Sequence, residues 1–176
     1  MVSKVLMISF ILMLIALLVY VIGFSTPHFV DIEQPPSKIY GGLWVRCQSL
    51  HDVKDCMDTA DFTGTEGNLG NRGWFKTCKA TSILGFISLF MAIMCAGLKL
   101  CDFMERRYII ASTCMTIAAV VFILVAVIVF TQNVEEVTFT LPYKYGFSFA
   151  LIIVGMCIAV IAGVIMVVEC FMGVHE

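Results

Sequence analysis

Four long runs without a charged side chain constrain this sequence more than any motif in it. Val5–Phe24 contributes twenty residues, Ala80–Gly97 eighteen, Tyr108–Val134 twenty-seven and Tyr145–Val168 twenty-four. Crossing the hydrocarbon core of a bilayer takes about 20 apolar residues. Within that core each backbone N–H and C=O must bond inside its own segment, so every run reads as a helix. Charged residues make up only 14% of the 176, and mean hydropathy is +0.98. A soluble domain usually carries about 25% charge, so a water-soluble fold is excluded. The expectation is one membrane domain over 1–176, with spans at about 5–24, 80–100, 108–131 and 145–168.

A cleaved signal peptide is the alternative reading of the first run, which starts beside Lys4 and ends near Gly23-Phe24-Ser25. Its removal would leave three helices. The run is longer than the usual 7–15-residue signal core and lacks a small-x-small cleavage site, so it is kept as a span.

Charge placement then orients the chain. The link Leu98–Arg107 carries Lys99, Arg106 and Arg107, and the N-terminus carries Lys4. Short basic flanks favour the cytoplasmic side. Both termini are therefore expected inside a plasma membrane, with loop 25–79 and loop 132–144 outside. A net charge of −2 and a pI near 5.9 give no reason to expect a nucleic-acid partner.

The first loop is the one non-membrane piece large enough to fold. His28–Ile32, Lys38–Tyr40 and Leu43–Val45 read as strands, interrupted by Pro35-Pro36 and Gly41-Gly42. So small a piece buries little core alone and needs a staple and a platform. Cys47 and Cys56 could supply the staple in an oxidising compartment. Cys78 is then an interfacial free thiol, an intermolecular partner, or the true partner of one of the two. Cys95, Cys114 and Cys157 fall inside spans, where a thiol is a small apolar group. Cys101 and Cys170, just past helix ends, are candidate palmitoylation sites, with plain thiols the alternative. The residues from Asp61 to Lys76, with glycine at 64, 67, 70 and 73, read as a mobile loop. His28, His51 and His175 are scattered, and no CxxC pair exists, so neither metal nor cofactor is expected.

Small residues let membrane helices approach closely. Gly155, Ala159 and Gly163 in the last span, and Ser88, Ala92 and Ala96 in the second, read as bundle seams. No charge lies inside any span, which argues against a pump, transporter or through-bundle channel. No acid–base pair or activated nucleophile is visible, so no enzyme is expected.

Gly42-Leu43-Trp44 followed by Cys47 and Cys56, between helices one and two of four, resembles the claudin superfamily. That group includes claudins, peripheral myelin and epithelial membrane proteins, and calcium-channel γ-type subunits. Thr26-Pro27-His28-Phe29, Lys79-Ala80 and the pair Phe139 and Pro142 are similar to further family patterns. The resemblance implies an all-α membrane protein: a left-handed four-transmembrane-helix bundle under a small, disulfide-pinned extracellular antiparallel β-sheet. In the junction branch it implies cell–cell contact and a cation-biased paracellular path. Asp52, Asp55, Asp58 and Asp61 would line that path, and Phe139, Leu141 and Pro142 would meet a partner, itself another copy in cis or trans. The alternative is an auxiliary γ-type subunit of an ion channel or receptor, with helices three and four against the channel. The shorter Cys47–Cys56 gap and Tyr145-Gly146-Phe147-Ser148-Phe149 favour that branch. The ending Gly173-Val174-His175-Glu176 lacks the Tyr-Val that docks PDZ scaffolds.

Overall fold

The computed structural model describes residues 4–34, 37–50, 53–61, 63–64, 67–100, 107–138 and 141–172. Among these residues four helices are long and apolar enough to cross a membrane: α1 (Lys4–Ser25), α2 (Gly73–Leu100), α3 (Arg107–Gln132) and α5 (Phe147–Met172). Between α1 and α2 lie β1 (Val30–Gln34), β2 (Ser37–Gly41), β3 (Val45–Leu50), β4 (Val53–Asp58), and the short pair β5 (Thr63–Gly64) and β6 (Gly67–Asn68). A single helical turn, α4 (Val134–Thr138), and β7 (Tyr143–Tyr145) join α3 to α5. The fold class is the one expected from the sequence: mainly helical, with a small antiparallel sheet at one end.

The structure adds to two expectations. Helix α2 begins at Gly73, seven residues before the expected span of 80–100, because a helix continues beyond the uncharged run that sets a span. Lys76 and Lys79 lie within its first turns, where Lys79 Nζ sits 4.8 Å from the Phe75 ring centroid and 3.8 Å from Asp58 Oδ1. Charges facing the loop are compatible with a helix whose other face, Phe75 and Cys78, is buried. The stretch read as a glycine-rich mobile loop likewise carries the β5–β6 pair and the 3₁₀ turn Leu69–Asn71 before α2 starts. Leu69, 3% exposed, anchors it in the core, and Gly70 N–H donates to Ala60 O at 2.9 Å.

The helices form two intimate pairs, α1 with α5 and α2 with α3. Small residues set both seams. A Cβ on Gly155 would sit 3.2 Å from Ala16 O, and one on Gly85 would sit 2.8 Å from the Ile123 side chain. Ala92, Ala96 and Ala159 are buried, Gly163 lies against Thr116 of α3, and Ser88 is half-buried. Ser9 Oγ donates to Ala162 O (2.9 Å), Tyr20 OH to Ser82 O (2.9 Å) and Ser112 Oγ to Ala92 O (2.7 Å). Such bonds average about 0.6 kcal/mol each in a membrane, so they register the helices while packing holds them. Met13, Ala16 and Tyr20 are in the core, which makes α1 a working part of the bundle.

The main sheet has the order β4-β3-β2-β1-β7, all antiparallel. Its apolar face, with Val30, Ile32 and Ile39, shares one cluster with Tyr20, Phe75, Phe130 and Phe149 at the bundle end. The loop therefore borrows its core from the helix ends. At the joint, Gly146 N–H donates to Phe29 O (2.9 Å) and Ser148 N–H to His28 O (3.2 Å). A Cβ on Gly146 would overlap the His28 carbonyl oxygen. Gly146→Ala is therefore expected to force β1 away from α5, at a cost of about 3 kcal/mol. The check is thermal unfolding of the detergent-solubilised protein; an unchanged midpoint would show that the joint yields freely.

Candidate functional site

The turn between β2 and β3 is held from below. A Cβ on Gly42 would lie 2.7 Å from Pro27 Cα and 2.9 Å from Thr26 O, so only glycine lets this turn rest on the end of α1. Leu43 is buried beside it. Trp44 packs edge-on against Phe24 at 5.1 Å and donates Nε1–H to Phe24 O at 3.1 Å. Lys79 Nζ lies 5.0 Å from the Trp44 ring, a cation–π contact. The indole N–H is committed to the protein backbone. Thr59 Oγ1 closes the turn by donating to Gly42 O at 3.0 Å.

Cys47 and Cys56 sit directly opposite one another on β3 and β4 and are joined by a disulfide, with Cα atoms 4.1 Å apart. Closing so short a loop is worth about 2.5 kcal/mol in the chain-entropy account. Cys78 is free and closed off from its surroundings. It is buried between α2 and α3, its Sγ 3.5 Å from Ala126 O. The reason is the early start of α2, which turns position 78 into the bundle. Cys170 is half-buried in the last turn of α5; Cys101 lies outside the described residues.

The acidic run is divided by the strand geometry. Asp55 and Asp58 are three apart on β4, so they face opposite sides of the sheet. Asp55, Asp58 and Asp61 are all exposed, but Asp58 accepts from Ala60 N–H at 2.8 Å and pairs with Lys79. Asp52 lies outside the described residues. In the second loop Phe139 also lies outside them, Leu141 packs half-buried on the shared core, and Pro142 is exposed. Among the described residues no three His, Cys, Asp or Glu side chains gather to hold a metal ion.

Three features joining the loops escaped the sequence reading. Strand β7 pairs with β1 (Val30↔Tyr145, Asp31↔Lys144, Ile32↔Tyr143), making the second loop part of the first loop's sheet. Arg46, 6% exposed, donates from its guanidinium to Val137 O at 3.1 Å, and burial lowers its pKa from the ordinary value. Glu136 Oε2 accepts from Trp74 Nε1 at 2.8 Å and lies 3.8 Å from Arg72 Nε. Position 46 alternates with 48 on a strand, so an inward arginine could have been suspected. Glu136 and Trp74 are 62 residues apart, and nothing local links them.

A compact sheet woven from two loops, seated on four membrane helices and pinned at the cysteines beside Gly42-Leu43-Trp44, is accompanied by a match to one family. The sequence fits the PMP-22/EMP/MP20/Claudin family over residues 3–166. The chain belongs to that family. It is also 21% identical, over 154 residues, to the zebrafish (Danio rerio) p53 apoptosis effector related to PMP-22, covering 85% of this chain and 78% of that protein. It is thus a claudin-like, multi-pass membrane protein.

Removing the staple should weaken the β3–β4 hairpin by about 2.5 kcal/mol. Cys47→Ala and Cys56→Ala are each expected to lower delivery to the cell surface, read by surface biotinylation. Normal folding and delivery of both variants would contradict a structural role for the bond.

Proposed function

We propose that this protein works at the plasma membrane as a cell-contact protein, its sheet facing outside and both termini inside. The disulfide supports that side, since such bonds persist in oxidising compartments, and the basic link between α2 and α3 supports the other. The observation that carries the reading is the seat of the sheet. Both loops are tied into one surface by β1–β7 pairing, Arg46 and Glu136. Partner binding favours preorganised surfaces, because less ordering entropy is lost.

Among the described residues no strand lies beside the far side of β4, and Asp55, Cys56 and Met57 are exposed there. An edge of this kind is suited to strand-by-strand docking. A second copy on the same or a neighbouring cell is the natural partner. Asp55 and Asp61 would then raise the cation concentration along the contact, while Asp58 serves its turn and Lys79.

A second reading, an auxiliary subunit of an ion channel, has one specific observation in its favour. A groove of about 340 Å³ runs between α3 and α5, lined by Val120, Val121, Val160, Gly163 and Val164. It opens to the bilayer and would accept a helix of a larger membrane protein.

Expression in cells without junctions separates the two. Freeze-fracture strands at contacts, with higher sodium-over-chloride permeability in monolayers, are expected. Asp55→Asn should lower that ratio toward its free-solution value. Diffuse protein that co-purifies with a channel would overturn the contact reading in favour of the second.

A further inference from the structure

Asp31 and Lys144 stand directly opposite each other on β1 and β7. Opposite charges in this relation usually pair. Here they do not come within ion-pair distance. Asp31 Oδ1 turns instead to His28 Nδ1 at 3.1 Å, and His28 is itself held by stacking on Tyr40 at 4.5 Å. Among the described residues no carboxylate lies within 4.0 Å of Lys144 Nζ.

Both residues line a cleft of about 170 Å³, completed by Pro142 and Tyr143. That is room for about five or six waters at their liquid volume, or for one small organic group. A separated carboxylate and ammonium at one opening match a ligand carrying both signs of charge.

Its place in the fold selects the source. Strand β7 is the lateral edge of the sheet and ends two residues before the membrane helix α5. A strand rises about 3.3 Å per residue, so Lys144 stands no more than about 10 Å beyond Phe147. The headgroup layer is itself about 5–8 Å thick, and a lysine stem can reach down into it. Tyr145 and Phe147 below the cleft are about half exposed, as interfacial aromatic anchors are. Tyr145 stacks on Phe149 at 4.6 Å.

We propose that this cleft binds the zwitterionic headgroup of a phosphocholine lipid in the sheet-side leaflet. Lys144 takes the phosphate. Asp31, on the same face of the sheet as Lys144, takes the quaternary ammonium. The site uses one face of the sheet and is independent of what the β4 edge binds.

The test uses the full chain in nanodiscs containing equal phosphatidylcholine and phosphatidylglycerol with identical acyl chains. Lipid retained after mild detergent extraction is counted by native mass spectrometry. The wild type is expected to keep phosphatidylcholine over phosphatidylglycerol by about tenfold, the worth of one charge-assisted contact. Lys144→Glu and Asp31→Asn should each abolish the preference, and Lys38→Ala, on the same face but outside the cleft, should preserve it. No preference in the wild type, or a preference that both variants keep, overturns the proposal. Displacement of the lipid by an equal concentration of soluble phosphocholine would make this a site for a free solute and overturn the membrane assignment. Circular dichroism reports whether the variants fold; if neither does, the wild-type headgroup and competition results decide alone.

Discussion

The joint where His28 and Phe29 meet Gly146 and Ser148 carries the rest of this molecule. Two backbone hydrogen bonds and one missing side chain bring the end of the first helix and the start of the last into contact. A short sheet at the surface of a membrane has too little core to stand alone. Here it stands because Val30 and Ile32 pack into the same cluster as Phe130 and Phe149, so the bundle supplies the hydrophobic mass. The sheet in turn fastens α1 to α5. Neither part is an appendage of the other.

The division of labour among polar contacts follows from where water is scarce. Inside the bundle hydroxyls of Ser9, Tyr20 and Ser112 reach backbone carbonyls across helix seams. At the sheet end, charged groups take over: Arg46 reaches the second loop's Val137, Glu136 holds Trp74 and Arg72, and Lys79 bridges Trp44, Phe75 and Asp58. These long-range ties turn two loops into one surface.

The spans were legible in the sequence because lipid imposes a one-dimensional rule, a count of consecutive apolar residues. That rule marks the apolar run and not the helix around it: α2 starts at Gly73, ahead of Lys76 and Lys79. A helix passes through such residues when its charges find partners above the bilayer. Strands β1 and β2 were visible from turn residues, but Leu43 and Trp44, read as a strand, lie in the bend before β3; β4 was not foreseen, and neither was β7, since three residues are too few to establish a period. Arg46 and Glu136 have meaning only through partners brought close by folding. The same geometry divided the aspartate run: a spacing of three on a strand sends Asp55 and Asp58 to opposite faces, which composition alone does not reveal.

The sheet order also dictates a timetable. Strands β1 to β4 neighbour one another in sequence, and α2 and α3 are consecutive, so these parts can assemble as they are made. Strand β7 is different. Val30 waits for Tyr145, 115 residues later, which at typical synthesis rates is roughly 6–23 s. Until then the inner edge of β1 and the flank of α1 lack their partners. The final helix is therefore the closing step of biogenesis, and a chain truncated before it would leave the translocation machinery with its first strand still open.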